Sequence, residues 1–149
     1  MTTVAEGAFV NLNDLEYFSI LNNNLKELNR SMFGRPASIK YFELMHNQIE
    51  TLPDDFFTEM PYLKGVGLSG NRISTLNEPV FAKVVSLSAA LNVEENPIKC
   101  DCSMQWITNQ DHKNIFGTCA EPSTVQGKRI AYLSEDNFKY CNKQIRAVI

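Results

Sequence analysis

Ile39-Lys40-Tyr41-Phe42-Glu43-Leu44-Met45-His46-Asn47-Gln48-Ile49-Glu50-Thr51-Leu52 carries apolar residues and one inner asparagine that recur, in place, on both sides of it. Upstream, Leu15, Phe18, Ile20, Asn23, Leu25 and Leu28 stand where Ile39, Phe42, Leu44, Asn47, Ile49 and Leu52 stand here. Downstream, Leu63, Val66, Leu68, Asn71, Ile73 and Leu76 repeat the set. The step is constant (39−15 = 63−39 = 24), and Phe9, Phe33, Phe57 and Phe81 keep it too. Gapless repetition at this period implies a solenoid, in which each unit buries its apolar face only against its neighbours.

The role of each position follows from its spacing. Phe18 and Ile20, Phe42 and Leu44, Val66 and Leu68 alternate with other residues at period two, which is a strand with one face inward. Strands separated by a full coil of one hand pair in parallel, about 4.8 Å apart. Leu25, Leu28 and Phe33, with their copies, turn inward from the returning limb, where 3₁₀ or short helical turns are expected. Asn23, Asn47, Asn71 and Asn96 are amides among apolar neighbours, so each is expected to bond backbone groups where the chain leaves its strand. An unsatisfied buried amide would cost about 1–3 kcal/mol. The pattern L-x-x-L-x-L-x-x-N-x-L resembles the leucine-rich repeat, and the resemblance implies a curved α/β horseshoe with a parallel concave sheet.

The fourth unit slips. Leu91, Val93, Asn96 and Ile98 fit the strand template, but Asn96 comes one position late after Asn71 (96−71 = 25), and Leu87 is expected to fill the first apolar position. Four strands are therefore expected near residues 17–20, 41–44, 65–68 and 91–93. Residues 1–8 form a polar N-terminal stub with no visible signal peptide. Phe9 enters in mid-repeat, so the sequence reads as the C-terminal part of a longer protein, with repeats over 9–98.

Asn96-Pro97-Ile98-Lys99-Cys100-Asp101-Cys102-Ser103-Met104-Gln105-Trp106, followed by Cys119, Pro122, Gly127 and Cys141, resembles the cysteine-rich C-terminal cap of extracellular leucine-rich-repeat proteins. A cap over 99–141 and a tail over 142–149 complete the division, with Trp106 expected to pack on the last repeat. The interval from Cys102 to Cys119 is short for such a cap and implies an abbreviated helix after Trp106. All four cysteines lie in the cap, which argues for two disulfides and an oxidising compartment. Cys100 and Cys102 are too close in sequence to pair readily, which leaves two of three pairings open. The resemblance implies Cys100–Cys119 and Cys102–Cys141. A zinc site would need a second close pair, which Cys119 and Cys141 do not form. Asn29-Arg30-Ser31 is a glycosylation sequon on the returning limb, giving Asn29 as a candidate acceptor.

Composition narrows function by exclusion. Net charge is −3 with scattered Lys and Arg, so neither a nucleic-acid groove nor an anionic membrane surface is indicated. No apolar stretch approaches the roughly 18 residues needed to span a bilayer. His46 and His112 sit in no nucleophile, metal or phosphate motif. Gly65, Gly67 and Gly70 occupy outward positions of the third strand and do not form a phosphate loop. Asp54 with Asp55, and Glu94 with Glu95, read as solvated rim acids. No enzyme, cofactor or metal site is expected.

What remains is the outward strand face: Tyr17, Ser19 and Leu21, then Tyr41, Glu43 and Met45, then glycines with Ser69, then Asn92 and Glu94. Tyrosines and methionine on a rigid sheet are the anchors that protein interfaces favour. The expected function is protein recognition by a secreted or cell-surface molecule, the partner being a protein ligand or receptor. The alternative is a non-catalytic accessory subunit of a secreted enzyme complex, similar to the leucine-rich subunit of shrimp luciferin monooxygenase.

Overall fold

In the computed structural model, which describes residues 2–141, five parallel strands follow one another in chain order. They are β1 (Tyr17–Ser19), β2 (Tyr41–Glu43), β3 (Gly65–Gly67), β4 (Ala90–Asn92) and β5 (Ile115–Phe116). Their register aligns Phe18, Phe42, Val66, Leu91 and Ile115 in one inward row. All five are buried. The period-two alternation thus does what it must, sending every second side chain into the core.

The fifth strand lies in the cap and was not among the four expected. Its signal was present but brief, since Ile115 follows Leu91 by one further repeat step (115−91 = 24). Beyond it, Thr118 pairs with Arg129 in antiparallel sense, and the Ile130 N–H donates to the Gly117 carbonyl at 3.0 Å. The sheet therefore runs without a break from the repeats into the cap.

Behind the sheet the returning limbs differ. The first makes a 3₁₀ turn at Arg30–Met32, whereas the third forms α1 (Glu78–Ser86). Pro79 stands in the first turn of α1, where its missing N–H costs nothing, and Val80, Phe81, Val84 and Val85 face the core. The helix closes with a Schellman motif: Ser88 N–H donates to Val85 O at 2.9 Å and Ala89 N–H to Val84 O at 3.3 Å. Ser88 takes the left-handed conformation, φ 57°. The inserted residue of the fourth unit is absorbed here. As a consequence Leu87 is exposed, and Ala89 is buried where Leu87 was expected to be.

The phenylalanine series forms a zigzag spine. Phe9 stacks on Phe33 (5.9 Å between centroids), but Phe42 of β2 is the hub, touching Phe18, Phe33, Phe56 and Phe57 at 5.4–6.0 Å.

Each of the first four strands ends in a left-handed corner. Asn22, His46, Gly70 and Glu95 all have positive φ (53°, 58°, 71° and 56°), each just before its repeat's asparagine. Gly70 is therefore a corner residue and not an outward strand position, which corrects the sequence reading. A Cβ at Gly70 would also press into the His46 ring. Gly70→Ala should cost about 1–2 kcal/mol in urea unfolding, because a left-handed L-residue is disfavoured by that much. Glu95→Gly, which relieves the same strain, should not destabilise the fold.

The corners deliver the asparagines into a ladder. Asn71 Nδ2 donates to the carbonyls of Leu68 (2.9 Å) and Leu44 (3.0 Å), and its Oδ1 accepts from Ile49 N–H (3.0 Å). Asn47 does the same for Leu44, Ile20 and Leu25, and Asn96 for Val93, Leu68 and Ile73. Every rung reaches back one repeat. Asn23 does not join: it is exposed and bonds only the Leu21 carbonyl, because among the described residues no strand precedes β1.

Candidate protein-recognition face

The concave sheet presents three outward rows. In the first, Tyr17 and Tyr41 are exposed with ring centroids 5.9 Å apart, followed by Gly65 and Ala90. In the second, Ser19, Glu43, Gly67, Asn92 and Phe116 stand in register. The third continues through Leu21, Met45, Ser69 and Glu94. Tyr17, Ser19, Leu21 and Tyr41 are open to solvent, while Glu43, Met45, Asn92 and Glu94 are half-buried. Ser69 is buried, so it offers no contact surface. Its short side chain is flanked in its row by the longer Met45 and Glu94.

Two outward residues escaped the sequence reading. Ala90 and Phe116 complete the first and second rows, and Phe116 is 47% exposed. Phe116 adds a large apolar side chain contributed by the cap to a face otherwise built by the repeats.

The third strand gives this face a depression. The Tyr41 ring leans over Gly65, where a Cβ would lie 3.0 Å from Tyr41 Cδ1. The Glu43 carboxylate covers Gly67, where a Cβ would lie 2.5 Å from Oε2. Here the glycines serve close approach of neighbouring side chains. The resulting basin has a volume of about 220 Å³.

Both disulfides are present, Cys100–Cys119 and Cys102–Cys141, with Cα separations of 5.6 and 5.8 Å. Trp106 is buried, and its Nε1–H donates to the Leu76 carbonyl at 3.0 Å, tying the cap to the third limb. The segment after Asp101 is a 3₁₀ helix, Cys102–Asn109. His112 bridges Gln110 O and Leu133 O within the cap, which is a structural role. Among the described residues no cluster of His, Cys, Asp and Glu could hold a metal ion, and no helix is long and apolar enough to cross a membrane. The tail at 142–149 lies outside the described residues.

On the convex side, Asn29 is half-buried and its Oδ1 accepts from Ser31 Oγ at 2.6 Å. Arg30 is the unexpected residue, 1% exposed, with Nε donating to Thr58 O (2.7 Å) and Nη2 to Gly34 O (3.0 Å). Burial lowers its pKa from the ordinary arginine value; neighbouring Arg35 adds to this, while Glu59 and Asp55 oppose it. The side chain clamps two successive limbs together through backbone carbonyls.

The family model for the leucine rich repeat matches residues 1–49 and 38–98. The chain belongs to the leucine-rich repeat family. Among solved structures, this repeat chain is similar to one from the octameric complex of latrophilin 3, Unc5D and FLRT2, in which FLRT2 supplies the leucine-rich repeats. The two share 27% identity at a TM-score of 0.63, over 87% of this chain and 41% of that one. The repeat chain thus spans less than half the length of its structural relative. No curated protein matches it.

Proposed function

We propose that the chain is a non-enzymatic recognition module of a secreted or cell-surface protein, binding a protein partner through the concave sheet. The observation that carries this reading is the exposed Tyr17–Tyr41 pair, held 5.9 Å apart on paired strands. Large, amphipathic side chains on a rigid backbone lose little entropy on binding and exclude water well. The two disulfides suit an oxidising, extracellular setting. The similar FLRT2 repeats belong to a complex of proteins, which supports a protein as partner. The division into repeats at 9–98 and cap at 99–141, and a glycan on Asn29 of the convex limb, belong to the same reading.

The test is a binding screen of the chain, displayed as a multimer, against a panel of secreted proteins and ectodomains. The partner found is then measured against the Tyr17→Ala/Tyr41→Ala double variant. Affinity should fall at least about 30-fold, since an anchor tyrosine contributes about 2 kcal/mol or more. The melting temperature should barely move, because both side chains are exposed. Undiminished binding would overturn the concave-face reading. A stoichiometric enzyme as the partner would favour the accessory-subunit alternative.

A further inference from the structure

The basin over β3 has a chemical character of its own. Its floor is Gly65 and Gly67, one wall is Tyr41, Glu43 and Met45, and Asn92 stands opposite. Glu94, at the end of the next strand, has a cation beside it, Arg129 at 3.8 Å. Glu43 has none: among the described residues no ion pair or hydrogen bond engages its carboxylate, although the residue is half-buried. No outward residue of the five strands is basic. Lys64 lies along the rim, but it is exposed and its long stem lets the ammonium swing into water.

We propose that this basin seats an arginine side chain of the protein partner, with its guanidinium on the Glu43 carboxylate and its plane against the Tyr41 ring. The inference rests on the concave-face reading and names the chemistry of the partner. A carboxylate is matched by the planar fork of a guanidinium in a two-point hydrogen bond. The same cation gains from an aromatic face within about 6 Å, and arginine stacks there better than lysine does. Glycine at both floor positions is what lets the Tyr41 ring and the Glu43 carboxylate lie low over the sheet and face the basin, since a side chain at Gly67 would collide with that carboxylate. A volume of about 220 Å³ is on the scale of one long side chain.

The probe is N-acetyl-arginine-N-methylamide, titrated into ¹⁵N-labelled protein with its disulfides intact. The neutral norleucine analogue serves as control. Saturable shifts are expected at the amides of Gly65, Gly67 and Ala90, with a millimolar Kd that weakens as salt is added. Glu43→Gln should weaken the arginine probe at least about fivefold and leave the melting temperature unchanged. No saturable shift, equal binding of the norleucine analogue, or an unchanged Kd in Glu43→Gln would each overturn the proposal. The two readings fail separately. A protein partner that needs Tyr17 and Tyr41 but binds Glu43→Gln unimpaired sinks the arginine seat and spares the concave face. Arginine binding at Gly67, beside a partner indifferent to the tyrosines, would support the seat and sink the wider reading.

Discussion

Alanine in place of Phe42 should remove about 3–5 kcal/mol of stability, the range for deleting a large aromatic side chain from a close-packed core. Phe42 is fully buried and its ring meets Phe18, Phe33, Phe56 and Phe57, so the gap would open where two successive repeats meet. Each neighbour is itself fixed by other contacts, which limits collapse into the space. At about 2–4 °C per kcal/mol for a chain of this size, the melting temperature should fall by roughly 10 °C. Phe116→Ala is the control. It removes an equal side chain from the same sheet, but from the solvent face, and should change stability by less than about 0.5 kcal/mol. Urea unfolding of both variants with disulfides intact decides the matter. A Phe42→Ala cost well below the packed-aromatic range, closer to that of the Phe116 control, would mean that the spine is not a packed core.

Asn71→Ala should cost about 2–4 kcal/mol, whereas Asn23→Ala should cost almost nothing. The two residues occupy the same repeat position, so the contrast isolates the ladder from the residue type. Removing Asn71 leaves the Ile49 N–H without its acceptor in a buried setting. An orphaned backbone donor costs about 1–3 kcal/mol, and the lost volume adds to it. The carbonyls of Leu44 and Leu68 keep Asn47 and Asn96 as donors, which bounds the loss. Asn23 spans only to Leu21 O in its own corner, so its loss breaks nothing between coils. Equal costs at the two positions would show that the asparagines act locally and do not join repeats.

The legible part of this molecule is what repeats. A residue that returns at a constant step meets its own copy across the sheet, so Phe18, Phe42 and Val66 could be placed inward and Tyr17 beside Tyr41 without coordinates. Legibility fails where a residue's surroundings come from another coil. The burial of Arg30 depends on carbonyls at Thr58 and Gly34, and its copies at Asp54 and Glu78 give no hint of it. Asn23 obeys the pattern and still falls outside the ladder, because a rung needs the coil behind it. Gly70 reads as a strand residue until the corner's left-handed turn is seen to recur at Asn22, His46 and Glu95. The sequence placed Gly65 and Gly67 on the outward face and showed no basin; that depends on how Tyr41 and Glu43 lean over them.

The two rims of the sheet are not alike. Past β5 the antiparallel Thr118–Arg129 bridge occupies the edge, whereas among the described residues nothing pairs with the outer side of β1. A sheet open on both sides can add copies without limit, head to tail, into a fibre. Head-to-tail growth needs a donor edge and an acceptor edge on every copy, and the cap withholds one of them. Among the described residues, the β1 side is therefore the edge left open to a further strand. A bridge laid across the last strand is the kind of stop that a repeat architecture, extensible by nature, needs against polymer growth.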